Sequence, residues 1–138
     1  YISQFGADSV NKLIMIGTPN HGVYGQVDSF CGVTGAAIEC KEMSSDNNFI
    51  KTLNTGDETP NNVKYYTIAG SGCVLGGIDG DGISRVDSVK LDGAENIKIL
   101  GKCEWDYSGI PNQRAFHSNL LNPDKYPNVL DYIKKILT

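Results

Sequence analysis

The strongest constraint on the fold of this chain is the clustering of its apolar residues into three short runs. These are Lys12 to Thr18 (KLIMIGT), Lys64 to Gly70 (KYYTIAG) and Asn96 to Gly101 (NIKILG). Short apolar runs bounded by turn residues read as buried strands. The segments between and after them carry helical signals. Asp46 is expected to cap a helix through Asn54 with Phe49, Ile50 and Leu53 on one face. Val86 to Ala94 reads as a short helix or an extended shoulder. Lys102 to Ala115 reads as a loop, and His117 to Leu121 begins a helical turn. Pro127 suits a first helical turn, and Val129, Leu130, Ile133, Ile136 and Leu137 make an amphipathic closing helix with Lys134 and Lys135 near its end. Strands alternating with helices predict an α/β fold of about three parallel strands with flanking helices. So small a sheet leaves an edge that something else must cover, so the unit is expected to be incomplete on its own. The opening residues fit the end of a helix, with Ile2 and Phe5 at helical spacing and Gly6 after them. Residues 1–138 therefore read as part of a single domain of a longer protein.

Composition narrows the function classes. A net charge of −4 supplies no basic stripe for phosphates, which argues against nucleic acid. No apolar run approaches the ~20 residues of a transmembrane helix. The cysteines are Cys31, Cys40, Cys73 and Cys103, with no CxxC pair, and His21 and His117 lie far apart. No metal site is expected from that spacing. Disulfides explain the even count and point to an extracellular or secreted protein. Of the three possible pairings, Cys31–Cys40 closes a short loop and Cys73–Cys103 joins two strand ends. Four buried free thiols are the alternative.

In doubly wound sheets, ligands bind beyond the carboxyl ends of the strands. Asn20 and His21 follow the first run, Asp79 and Asp81 the second, and His117 the third. An Asp and a His at one end of a sheet suit a general base held by a carboxylate. Each residue also has a plainer reading. His117 fits a capping or surface histidine, and the IDGDG aspartates fit turn residues. Calcium ligation by Asp79 and Asp81 lacks the closing glutamate of a twelve-residue loop. His21 fits a structural hydrogen bond. The loop from Gly22 to Ser45 is long and glycine-rich. Together with Asn20 and His21, its residues Val23, Tyr24 and Phe30 are candidate substrate contacts.

Three segments in order carry a resemblance. KLIMIGTPNHG (Lys12 to Gly22), GDGISRVDSVKLDGAENIKI (Gly80 to Ile99) and AFHSNLL (Ala115 to Leu121) resemble segments of microbial lipases and esterases of the α/β-hydrolase superfamily. The resemblance implies the C-terminal part of an α/β-hydrolase fold. It implies a carboxylic ester hydrolase with a Ser-His-Asp triad, in which His117 is the general base and Asp81 the acid that orients it, with Asp79 the second choice. Asp before His agrees with the superfamily order of serine, acid, histidine. The G-x-S-x-G elbow that bears the nucleophile does not occur here, and Ser71 in AGSGC follows the wrong strand. The serine is therefore expected upstream of Tyr1, on an N-terminal segment or a companion chain. The chain alone is then expected to be inactive. The implied substrate is an ester or lipid, and no cofactor is implied. The alternative is a non-catalytic, hydrolase-derived binding domain.

Overall fold

The computed structural model describes residues 2–23, 41–105 and 111–138. The elements in chain order are α1 (Ile2–Phe5), β1 (Lys12–Ile16), α2 (Asn48–Leu53), β2 (Lys64–Ser71), α3 (Val86–Val89), β3 (Glu95–Leu100), β4 (Glu104–Trp105), β5 (Pro111–Asn112), α4 (Gln113–Asn119) and α5 (Pro127–Leu137). β1, β2 and β3 form a parallel sheet in that order. Ile16 lies opposite Ile68, and Ile68 opposite Ile97, so one apolar row crosses all three strands.

The period-two alternation of β2 sends its side chains to two layers. Ile68, with Ile97 and Ile99 of β3, packs against Phe116 and Leu120 at α4 and Val129 and Ile136 of α5. Tyr65 packs with Val63 and Leu91, with Ile2, Leu13 and Met15 alongside. Ala69 meets Val86 and Val89 of α3. Thr67 is fully buried on this side, and its hydroxyl donates to Asn96 Oδ1 at 2.7 Å. Asn96 in turn ties the backbone of Leu91 and Ala94 to the start of β3. Lys12 of β1 donates to the carbonyl of Ile136, closing the C-terminal end of α5 with a cation.

Several local expectations are corrected. Asn47, not Asp46, caps α2, accepting the N–H of Phe49 at 2.7 Å. Only Ile50 of the expected α2 face is buried, while Phe49 and Leu53 are exposed. On α5, Val129 and Ile136 are buried, whereas Leu130 and Leu137 face outward. The segment read as a loop after β3 contains the antiparallel ribbon β4–β5, and α4 begins at Gln113, four residues before His117. β1 is half-buried along its whole length despite its apolar sequence.

At their carboxyl ends the three strands arrive at glycine: Gly17 after β1, Gly70 within β2 and Gly101 after β3. The parallel ladder continues through them, with Gly17 N–H donating to Ile68 O and Gly101 N–H to Ser71 O, both at 2.8 Å. The Phe116 ring occupies the space left at Gly70 and Gly101, and His117 and Asp81 occupy that at Gly17. A Cβ on Gly101 would lie 2.2 Å from Phe116 Cζ, and one on Gly70 would lie 2.6 Å from Asp81 Cβ. Overpacking of this kind costs about 1–3 kcal/mol. Gly101→Ala is therefore expected to lower stability by about 1–3 kcal/mol in urea unfolding; an unchanged midpoint would show that Phe116 moves aside without cost.

Candidate active site

Asp81 sits in the loop between β2 and α3 and is fully buried. Its Oδ1 accepts the N–H groups of Ile83 at 2.9 Å and Ser84 at 2.7 Å. Its Oδ2 lies 2.8 Å from Nδ1 of His117. Burying a carboxylate is costly unless its oxygens find donors, and here both do. An ionised carboxylate only accepts, so Nδ1 of His117 carries the proton in this pair. In the neutral ring Nε2 is then the acceptor, the nitrogen able to take a proton from another group. The His117 side chain is 32% exposed, which leaves one flank of the ring reachable.

The pair is assembled by the sheet. Asp81 leaves the end of β2, His117 is carried by α4 after β3, and Gly17 follows β1. Gly17 has φ +60°, and a Cβ there would lie 3.0 Å from His117 Cε1 and 3.2 Å from Asp81 Oδ2. The backbone of β1 thus passes directly against both partners. Phe116, fully buried beside His117, stacks at a tilt on Tyr126 with ring centroids 5.1 Å apart and seats α4 on the sheet.

Asp79, two residues before Asp81, is used differently. Its Oδ2 accepts the Ser71 hydroxyl at 2.7 Å and its Oδ1 the Gly72 N–H at 2.6 Å. Burial pushes its carboxyl upward. The Ser71 hydroxyl, the Gly72 N–H, the Lys98 charge and the Gly80 N–H together outweigh that and hold it below the ordinary aspartate value. Asp79 therefore straps the loop that carries Asp81 to the end of β2, while Asp81 faces His117. The disulfide Cys73–Cys103 joins the same loop to the segment following β3.

Asn20 and His21 hold the chain after β1. Asn20 Nδ2 donates to Val89 O at 2.7 Å, and its own carbonyl accepts from Asn54 at 2.9 Å. His21 places Nε2 2.6 Å from Glu58 Oε1 and Nδ1 3.3 Å from Ser88 O. Val23 is buried and shares backbone bonds with Met43 and Ser45. Asn20 and His21 thus fasten the segment after β1 to α3 and the α2–β2 connection, and Val23 fastens it to the residues before α2. Tyr24, Phe30 and the Cys31–Cys40 pair lie outside the described residues. Among the described residues, no group of three or more His, Cys, Asp or Glu side chains could hold a metal ion, and no helix is long and apolar enough to cross a membrane.

Two participants escape a reading of the sequence alone. Gly17 carries no side chain to announce its position, and Ser84 looks like one more polar loop residue. The only available signal is their setting: a glycine directly ending an apolar strand run, and a serine three residues after the aspartate of an Asp-Gly.

No protein-family model matches the chain, and no curated protein does. Among solved structures it is similar to the Bacillus licheniformis lipase BlEst2. Against the mature form the identity is 22% and the TM-score 0.52, covering 93% of this chain and 58% of that one. Against the propeptide form they are 22% and 0.53, covering 93% of this chain and 32% of that one. The likeness is one of fold, and the chain spans less than two thirds of the lipase.

The lowered carboxyl of Asp79 gives a pH-dependent prediction. A depressed folded value stabilises the fold fully above the ordinary aspartate value, and the contribution is lost as pH falls through the depressed value. Asp79→Asn should lower stability by about 1 kcal/mol at neutral pH, a typical net hydrogen-bond contribution. The gap from wild type should close as pH falls through the acid range. Urea midpoints across that range check this; a gap that persists at the acid end would assign the loss to geometry rather than charge.

Proposed function

We propose that this chain is the C-terminal part of an α/β-hydrolase-type carboxyl-ester hydrolase, with Asp81 and His117 as the acid and base of a Ser-His-Asp triad. The observation that carries the reading is the 2.8 Å contact between buried Asp81 and half-exposed His117 at the carboxyl end of a parallel sheet. The likeness in fold to a lipase supports it.

In this reading a serine supplied from outside these residues, N-terminal to Tyr1 or on a companion chain, attacks the ester carbonyl. His117 Nε2 takes its proton and returns it to the leaving alcohol. Asp81 keeps the ring in the tautomer that leaves Nε2 basic, and it stabilises the imidazolium that forms. A second cycle with water releases the acid. The half-buried apolar strand β1 supports a sheet that continues beyond it in the complete protein. Asn20, His21 and Val23 bear on substrate through the segment that follows them in sequence, where Tyr24 and Phe30 are the proposed contacts. The ester or lipid substrate class rests on the same reading, as does secretion, to which the Cys73–Cys103 disulfide adds support.

Hydrolysis of p-nitrophenyl butyrate by the protein carrying its N-terminal sequence tests this. His117→Ala and Asp81→Asn should each lower kcat on the order of 10⁴-fold. Asp79→Asn should leave most of the rate. Turnover that survives His117→Ala would remove His117 from the chemistry. A folded protein with no turnover on any ester would favour a binding domain.

A further inference from the structure

We infer that Ser84 is a positioning residue for the Asp81–His117 pair, fastening it to the end of β1. The kinetic part of this inference rests on the proposed hydrolase reading; the structural part does not.

Ser84 is 2% exposed, and all of its polar atoms are engaged. Its N–H donates to Asp81 Oδ1 at 2.7 Å, and its carbonyl accepts the Asp81 N–H at 3.1 Å. These bonds close a tight turn around the carboxylate and fix Asp81 within its own loop. They do not reach β1. Asp79 and the Cys73–Cys103 disulfide tie the loop to β2 and to the segment after β3, and the Ser84 hydroxyl ties it to the end of β1, donating to the carbonyl of Gly17 at 2.7 Å across 67 residues of sequence.

Gly17 is also the residue whose backbone lies against both His117 and Asp81. One hydroxyl therefore joins the turn that holds the acid to the strand end on which the pair rests. Asn20 and His21 also tie the segment after β1 to this part of the chain, but through Val89 and Ser88 of α3 rather than at the pair itself. Removing the Ser84 oxygen would leave the Gly17 carbonyl without this donor and release the turn from β1. Asp81 would keep its two backbone donors, so its burial would remain satisfied. What would change is its aim at Nδ1 of His117. A displacement of that kind slows the chemical step without touching substrate binding.

The test uses the protein with its N-terminal sequence as wild type, Ser84→Ala and Ser84→Cys. The cysteine keeps the volume and offers only a weak donor. The His117 Nδ1 proton is read by ¹⁵N-edited NMR and assigned by its loss in His117→Ala. Hydrolysis of p-nitrophenyl butyrate gives kcat and KM.

In Ser84→Ala the His117 proton should move upfield or exchange too fast to be seen, and kcat should fall about tenfold at unchanged KM. Ser84→Cys should lie between Ala and wild type. An unmoved proton and unchanged kcat in either folded variant would overturn the inference, as would a change confined to KM. Loss of folding in both variants would assign Ser84 to packing alone and overturn it too. A wild type without turnover would fail the proposed function, while the His117 proton would still decide the role of Ser84.

Discussion

The arrangement depends on a steric constraint: each of the three parallel strands carries a residue without a side chain at or next to its carboxyl end. Gly17, Gly70 and Gly101 clear a space at one end of the sheet, and Phe116, Asp81 and His117 fill it. Any Cβ at Gly70 or Gly101 would overlap Phe116 or Asp81, and interiors packed to crystal density do not absorb such overlaps freely. The aromatic ring, once seated, orients α4, and α4 carries His117. The steric gap in the sheet therefore comes first, and the hydrogen bond between Asp81 and His117 follows from it.

Electrostatics then explains why that end of the molecule holds two aspartates with different tasks. Asp79 spends both oxygens on the end of β2 and is pulled toward its charged form. Asp81 spends one oxygen on its own turn and offers the other to His117. The two residues are separated by Gly80, whose close approach to the Ser84 carbonyl leaves no room for a side chain. Gly80 pairs with Arg85 as an antiparallel bridge, and the chain turns after Asp81, where Gly82 has φ +95°.

Much of this was legible in the sequence because it is written in hydrophobic pattern. The runs at Lys12, Lys64 and Asn96 became the three parallel strands, and Pro127 with its apolar spacing became α5. The short ribbon of β4 and β5 was not legible, because two-residue strands leave no period to read. The start of α4 at Gln113 was missed for a related reason, since a seven-residue helix of about two turns gives little repeat to read. Phe49 and Leu53 matched a buried helical face yet stand exposed, because α2 meets the rest of the described residues through Ile50. Asp81 and His117 could be nominated from order and residue type. Their contact with Gly17, and the Ser84 bond across 67 residues, are tertiary facts that no local pattern encodes.

In the proposed function His117, held by Asp81, activates a serine. The most direct measurement is mass-spectrometric mapping of the adduct formed by a fluorophosphonate, which labels activated serines covalently, on the protein with its N-terminal sequence. If His117 activates a serine, a single serine adduct forms N-terminal to Tyr1 or on a companion chain, far more slowly after His117→Ala. No adduct, or one whose rate ignores the loss of His117, would contradict it.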